Sequence, residues 1–164
     1  MLIYKRLGIL ILFMGFSVLH LHAAMVTFLV IEEGLRPGAE ADNYSSVWEG
    51  GLMSAFFDAG HIVSNSPVLR VETLSAAELP AEAGKDFRDA ADGGADYFIL
   101  AVLNFNTQER KNRPNSVIIK IFTTKTRQLI YERKYPAGTG INLQEEYIKA
   151  EEIAKTVAAQ IRRS

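Results

Sequence analysis

The sequence contains no cysteine, a single tryptophan and three histidines. The missing cysteine excludes disulfides, thiolate nucleophiles and the acylation point of a lipoprotein, so the fold depends on burial for its stability. Two of the histidines, His20 and His22, lie in an apolar N-terminal stretch. His61 is then the only one left in the body of the chain, and any Ser-His-Asp device has to use it. No motif surrounds it, and it reads as a structural or surface histidine. One histidine and no cysteine leave only carboxylates as further zinc ligands. Excess charge is also lacking: 18 basic residues face 19 acidic ones, a net charge of −1. Such a balance has no general attraction for nucleic acid or anionic lipid.

What the chain does have begins at its N-terminus. Lys5 and Arg6 precede an apolar run from Leu7 to Leu19, followed by Ala23 and Ala24. That is the layout of a secretory signal peptide, residues 1–24, cleaved after Ala23 or Ala24. The alternative is an uncleaved anchor, because "MVTFLVIE" prolongs the apolar stretch; only in that case is a membrane contact expected. Removing Lys5 and Arg6 from the 18 basic residues leaves 16 against 19 acidic ones, a net charge near −3. Residues 25–164 are long enough for one domain with a real core.

Within that domain, "VTFLVIE" (26–32) reads as a buried strand. Asp42, Asn43, Ser45 and Ser46 compete to cap a helix running to about Ala59, with Gly60 as its stop. "HIVSNSPVLRVE" supplies one strand, or two short ones interrupted at Pro67. Ser75 and Glu78 have capping-box spacing and predict a short helical turn that Pro80 and Gly84 break. "KDFRDAAD" predicts a second helix ending at Gly93-Gly94, and "DYFILAVLNFN" a central strand. "VIIKIFTT" and "QLIYERKY" predict a hairpin. Pairing 124 with 128 leaves the loop Lys125-Thr126-Arg127 and sets Lys120 opposite Glu132 and Ile121 opposite Tyr131. Three-residue loops favour glycine at the left-handed position, and none is present. The last helix opens on Asn142 and Glu145, again a capping box, with Leu143, Tyr147, Ala150, Ala154, Val157 and Ile161 as its apolar stripe. The expected fold is α/β: a mixed sheet with about three helices, in the order β-α-β-α-β-β-β-α.

"GGADYFILAVLNF", followed by the hairpin "VIIKIFTTKTRQLIYERKY" and an amphipathic C-terminal helix, resembles a group of bacterial envelope domains. The group comprises the amino-terminal domain of TolB, the lipoprotein activators of penicillin-binding proteins and the curli secretion channel subunit. The resemblance implies an α/β domain that works through protein contacts in the periplasm, without a cofactor. Its hairpin usually turns on Thr-Gly, where this chain has Thr126-Arg127, and its lipoprotein members carry a cysteine absent here.

Three other patterns offer chemistry. Asp86, Asp89 and Asp92 lie along one helix face, which reads as a solvated face, since no Asp-x-Asp-x-Asp-Gly loop accompanies them. "PAGTGIN" (136–142) sets Gly138 and Gly140 before a helix start, where peptide N–H groups can meet an anion; it lacks the lysine of a P-loop and the third glycine of a dinucleotide fingerprint, and reads first as a plain strand-to-helix connection. Arg110, Lys111 and Arg113 cluster in a polar loop, which reads as a solvated hairpin loop, with a polyanion or an acidic partner as the alternative.

The first helix carries the remaining candidates. At 100° per residue, Trp48, Leu52, Ala55 and Ala59 share a narrow arc with Phe56 at its edge. Met53 and Phe57 lie well round from it, and Gly51, Ser54 and Asp58 mark the polar side. Either the loop at 33–45 or the last helix covers Met53 and Phe57, or they dock a partner. Gly50 and Gly51 weaken the helix and permit a close backbone approach. The leading expectation is a non-enzymatic periplasmic interaction or assembly domain with an envelope protein partner, its interface drawn from Trp48, Met53, Phe57, Arg110, Lys111 and Arg113. The alternatives are a carboxylate-based periplasmic hydrolase and a binder of small anions or ligands.

Overall fold

In the computed structural model, described over residues 23–35, 43–105 and 113–161, strand β1 (Met25–Glu33) is buried on both faces from Val26 to Glu32. A strand hidden on both sides needs helices above and below it. These come from α1 (Tyr44–Asp58), α2 (Gly84–Asp92) and α3 (Leu143–Ile161). The remaining strands are β2 (Ile62–Asn65), β3 (Leu69–Val71), β4 (Tyr97–Asn104), β5 (Ser116–Thr123) and β6 (Leu129–Pro136). The sheet runs β2-β1-β4-β5-β6, with β3 continuing along the β2 edge of β1.

Strands β2, β3 and β4 all pair with β1 in parallel, and β4-β5-β6 is an antiparallel meander. The α1 crossover moves outward from β1 to β2, while the α2 crossover returns past β1 to β4. Right-handed connections running in opposite directions put the two helices on opposite faces. Alternation along the strands then feeds two cores. Val26, Phe28 and Val30, with Ile99, Leu103, Val117, Ile119 and Ile121, face α1 and α3. Leu29 and Ile31, with Phe98, Leu100, Val102 and Phe122, face Phe87 and Ala90 of α2. The mixed α/β sheet with three helices expected from the sequence is the fold observed, with the 62–71 segment split into two strands at Pro67.

Local chemistry explains the helix ends. Past α1, Gly60 takes φ +85° and donates to the Phe57 carbonyl, while His61 N–H reaches that of Phe56. Gly94 and Ala95 repeat this double closure past α2. At the start of α1, Asn43 caps through its backbone in a left-handed conformation and makes no side-chain cap bond. The helical turn expected at Ser75–Glu78 is absent. A helix starting there would carry Pro80 in its interior, without an N–H and against the preceding turn. Ser75 caps instead across a longer span. Its hydroxyl and N–H donate to Glu82, its Oγ accepts the Ala81 N–H at 2.8 Å, and a 3₁₀ turn (Ala81–Ala83) leads into α2. These bonds, from the residue's own N–H first and the Ser75 hydroxyl next, hold the Glu82 carboxyl below its usual range. Gly84 therefore begins a helix rather than breaking one.

The hairpin pairs Lys120 with Glu132 and Ile121 with Tyr131, as expected, with an ion pair of 3.6 Å between the first two. The pairing of 124 with 128 is not made. A bulge follows Ile121, so Phe122 pairs with Leu129, and Thr123 N–H donates to the Gln128 carbonyl. The shift brings Phe122 and Leu129 together on the α2 side, against the core that holds Phe87. The turn then needs a left-handed residue, and Arg127 supplies it at φ +56°, its guanidinium 5.5 Å from the Phe87 ring centre. A side chain in that conformation costs about 1–2 kcal/mol, and an exposed cation–π contact returns only about 0.5–1 kcal/mol. Arg127→Gly is therefore expected to match or exceed the wild type in thermal melting, by up to about 1 kcal/mol. A clear loss of stability would give the ring contact the larger share.

Candidate interaction surface

Trp48 does not belong to any surface. It is fully buried, and its indole N–H donates to Glu146 Oε1 at 3.0 Å. A buried tryptophan needs such a partner. Glu146 lies in the apolar stripe of α3 and is itself fully buried. Its other partners are the peptide N–H groups of Gly138 (2.8 Å), Thr139 (3.1 Å) and Gly140 (3.1 Å). The glycine loop "PAGTG" thus holds an anion, as its composition suggested, but the anion is the chain's own carboxylate. The donors that an external anion binder would have used are therefore already occupied. Gly138, at φ +65°, lies against the Pro114 carbonyl with no room for a Cβ. Beside this nest, Asn142 Oδ1 accepts the Glu145 N–H at 2.9 Å, the expected helix cap, and Glu145 in turn accepts the Ile141 N–H.

The two glycines of α1 also find their reason. Gly51, expected on the polar side, is buried: a Cβ there would lie 2.8 Å from Ala150 Cβ and 2.9 Å from the Glu151 nitrogen. Small residues at four-residue spacing, Gly51 and Ala55 on α1 with Ala59 at its C-cap, and Ala150, Ala154 and Ala158 on α3, let the two helices approach closely. A helix that buries one flank in the sheet and another in a neighbouring helix has a wide apolar arc, which accounts for its pattern.

Met53 and Phe57 fall outside both contacts. Met53 is half-buried at the edge of the core, while Phe57 is 72% exposed. Across the Gly60 turn, Ile62 at the start of β2 is 59% exposed. Local pattern carries no sign of Ile62, because nothing near it shows that its strand lies at a sheet edge. Between the C-terminal ends of α1 and α3 lies a groove of about 290 Å³ lined by Ala55, Asp58, Ala59, Lys155, Ala158 and Ala159. Arg113 is not part of this region. It lines a separate groove of about 580 Å³ with Asn43, Tyr44 and Asn142, and its guanidinium donates to the Gly140 carbonyl at 3.4 Å. The ends of α1 at Tyr44 and Phe57 are about 20 Å apart at 1.5 Å per residue, so Arg113 and Phe57 do not form one surface. Arg110 and Lys111 lie outside the described residues.

His61 is buried, with Nδ1 accepting the Ala24 N–H at 3.3 Å and its ring 5.8 Å from that of Phe56. Glu32, 2% exposed, is bound by Arg70 at 2.6 Å. Glu33 accepts from the Leu74 N–H and the Asn104 amide. Asp89 pairs with Lys85, raising the lysine's pKa, and Asp86 and Asp92 lie along the same helix. On β6, burial first and a bond to the Tyr131 hydroxyl second push the Tyr135 hydroxyl up to about 12. Among the described residues, no three His, Asp or Glu side chains are grouped to hold a metal, and no helix is long and apolar enough to cross a membrane.

No protein-family model matches the sequence, and no curated protein does. Among solved structures, the chain is similar to the PelC dodecamer from Paraburkholderia phytofirmans, with 11% identity over 84% of this chain and 86% of that one and a TM-score of 0.46. The LpoB C-terminal domain from Escherichia coli is similar at 14% identity, over 72% of this chain and 84% of that one, with a TM-score of 0.38. TolB from Acinetobacter baumannii is similar at 11% identity, over 87% of this chain and 29% of that one, with a TM-score of 0.39. The structures that this chain is similar to thus include TolB, a member of the envelope group whose strand, hairpin and terminal helix its sequence resembles.

Proposed function

We propose that this chain is a non-enzymatic interaction domain of a bacterial cell envelope, exported on its N-terminal segment and docking a protein partner through Phe57, Ile62 and the edge of Met53. The observation that carries the reading is the pair of large apolar side chains, 72% and 59% exposed, held on either side of a rigid helix-to-strand turn. Apolar surface of this kind is costly to leave in water and marks sites where another molecule binds. The leader-like residues 1–24 and the resemblance of the hairpin and last helix to envelope domains support an envelope compartment. The carboxylates most hidden from water are committed to structural partners, Glu146 to four donors and Glu32 to Arg70, which favours a binding module over a hydrolase.

The test is a pull-down from envelope extracts with wild type and with Phe57→Asp/Ile62→Asp. The double variant is expected to lose the partner while melting within about 2 °C of the wild type, as exposed substitutions do. Undiminished capture by a folded variant would move the interface elsewhere, and the Arg113 end of α1 would be the next region to change.

A further inference from the structure

Ala23 is exposed, whereas Ala24 is half-buried and packs against the core on the α1 side of the sheet. The Ala24 carbonyl accepts the Ile62 N–H at 2.9 Å, and its own N–H donates to His61 Nδ1 at 3.3 Å. The next residue is tied on the opposite side: Met25 N–H donates to Asp96 Oδ2, and its carbonyl accepts the Asp96 N–H, both at 2.8 Å. Among the described residues, Ala24 is therefore the first with a place in the sheet, and it joins β1 to β2 ahead of their first paired residues, Met25 and Ile62.

We infer that the leader is removed by hydrolysis of the Ala23–Ala24 peptide bond, and that the amino group so released is held by His61. The inference rests on the export reading above. A signal peptidase would add water across the bond, leaving a carboxylate on Ala23 and an amine on Ala24 that takes up a proton. The new ammonium keeps the position of the former N–H and donates to the same Nδ1, as a charge-assisted bond. That bond fixes the neutral imidazole tautomer with its proton on Nε2. Cutting one residue later is the rival. It removes the acceptor of the Ile62 N–H and the methyl group packed on the core. In return it charges a Met25 nitrogen that already donates to Asp96, and an exposed pair of this kind contributes little. His61, without a catalytic setting in the sequence, acquires a role as the clasp of the mature N-terminus.

The first measurement is the intact mass and N-terminal sequence of the protein recovered from the periplasmic and membrane fractions of an expressing bacterium. A chain beginning at Ala24 is expected. A chain beginning at Met25 would overturn the inference and leave the export reading standing, whereas an intact Met1 would overturn both. The second measurement compares two mature chains, beginning at Ala24 and at Met25, each released from a cleavable fusion without extra residues. The Ala24 chain is expected to melt several degrees higher, and His61→Ala to shrink that difference. Equal melting of the two chains would overturn the role given to His61, wherever the cut falls.

Discussion

Replacing Glu146 with alanine is expected to cost about 3–5 kcal/mol, because several neutral donors are orphaned together. Three peptide N–H groups and the Trp48 indole lose their common acceptor at once. Each buried donor left unpaired costs about 1–3 kcal/mol, and the losses overlap because they share one site. Against a total stability of about 5–15 kcal/mol, that is a large share of what holds the fold together. Glu146→Gln keeps the shape but turns an NH₂ group toward donors, so it should recover only part of the loss. Glu145→Ala, which removes a helix-capping contact on the surface, should cost only about 1 kcal/mol. Formate or acetate should raise the melting temperature of Glu146→Ala and leave the wild type unchanged, since a small carboxylate can occupy the vacated nest. Chemical denaturation of the three variants measures the differences. A Glu146→Ala protein within 1 kcal/mol of the wild type would mean that the nest contributes little to the fold.

The second large effect is expected in α1, where two adjacent glycines should respond to alanine with opposite signs. In a free helix each substitution gains up to about 1 kcal/mol. At Gly50 the new methyl group meets only the edge of the Tyr147 ring, at 3.3 Å, and a side chain can yield. At Gly51 it meets Ala150 Cβ and the Glu151 backbone at 2.8 and 2.9 Å, and a backbone cannot yield without parting the helices. Overpacking of this kind costs about 1–3 kcal/mol, so Gly51→Ala should lower the melting temperature while Gly50→Ala holds or raises it. Gly51→Leu should exceed the cost of Gly51→Ala and expose the seam between α1 and α3. Equal behaviour of the two alanine variants would show that the helices have freedom to separate.

Much of the fold was written in local pattern. The largely apolar runs of β1 and β4 announced buried strands inside the sheet, and Gly60 and Gly94 stop their helices where expected. Lys120 and Glu132 set the hairpin register, because a slip would have put a carboxylate on the core side. Sequence was less informative where two distant segments decide the outcome. Gly51 looked polar by its place on the helical wheel, yet its environment is set by α3, about a hundred residues later. Glu146 and the glycine loop each carried half a signal. A glutamate within an apolar stripe needs donors, and a glycine loop offers them, but only the fold brings the two together. The same holds for the interface. Helical spacing separated Phe57 from the core arc, whereas Trp48 shared that arc with Leu52 and is buried with it. The bulge beside Phe122 was hidden for a similar reason, since it answers to α2 rather than to the strands it joins.

The ends of the sheet bear on how the protein behaves when concentrated. An open sheet can be lengthened by any extended chain that meets its border, the first step toward ribbons and fibrils. Here one border, β6, carries the exposed sequence Glu132-Arg133-Lys134 and finishes at Pro136. The other is divided into strands of four and three residues on either side of Pro67. Neither presents the long, flat, uncharged margin that recruits further strands, even though β1 and β4 are among the most aggregation-prone segments the chain could expose. Self-association of the folded molecule is thereby steered away from backbone pairing and toward its side chains, where it stays reversible.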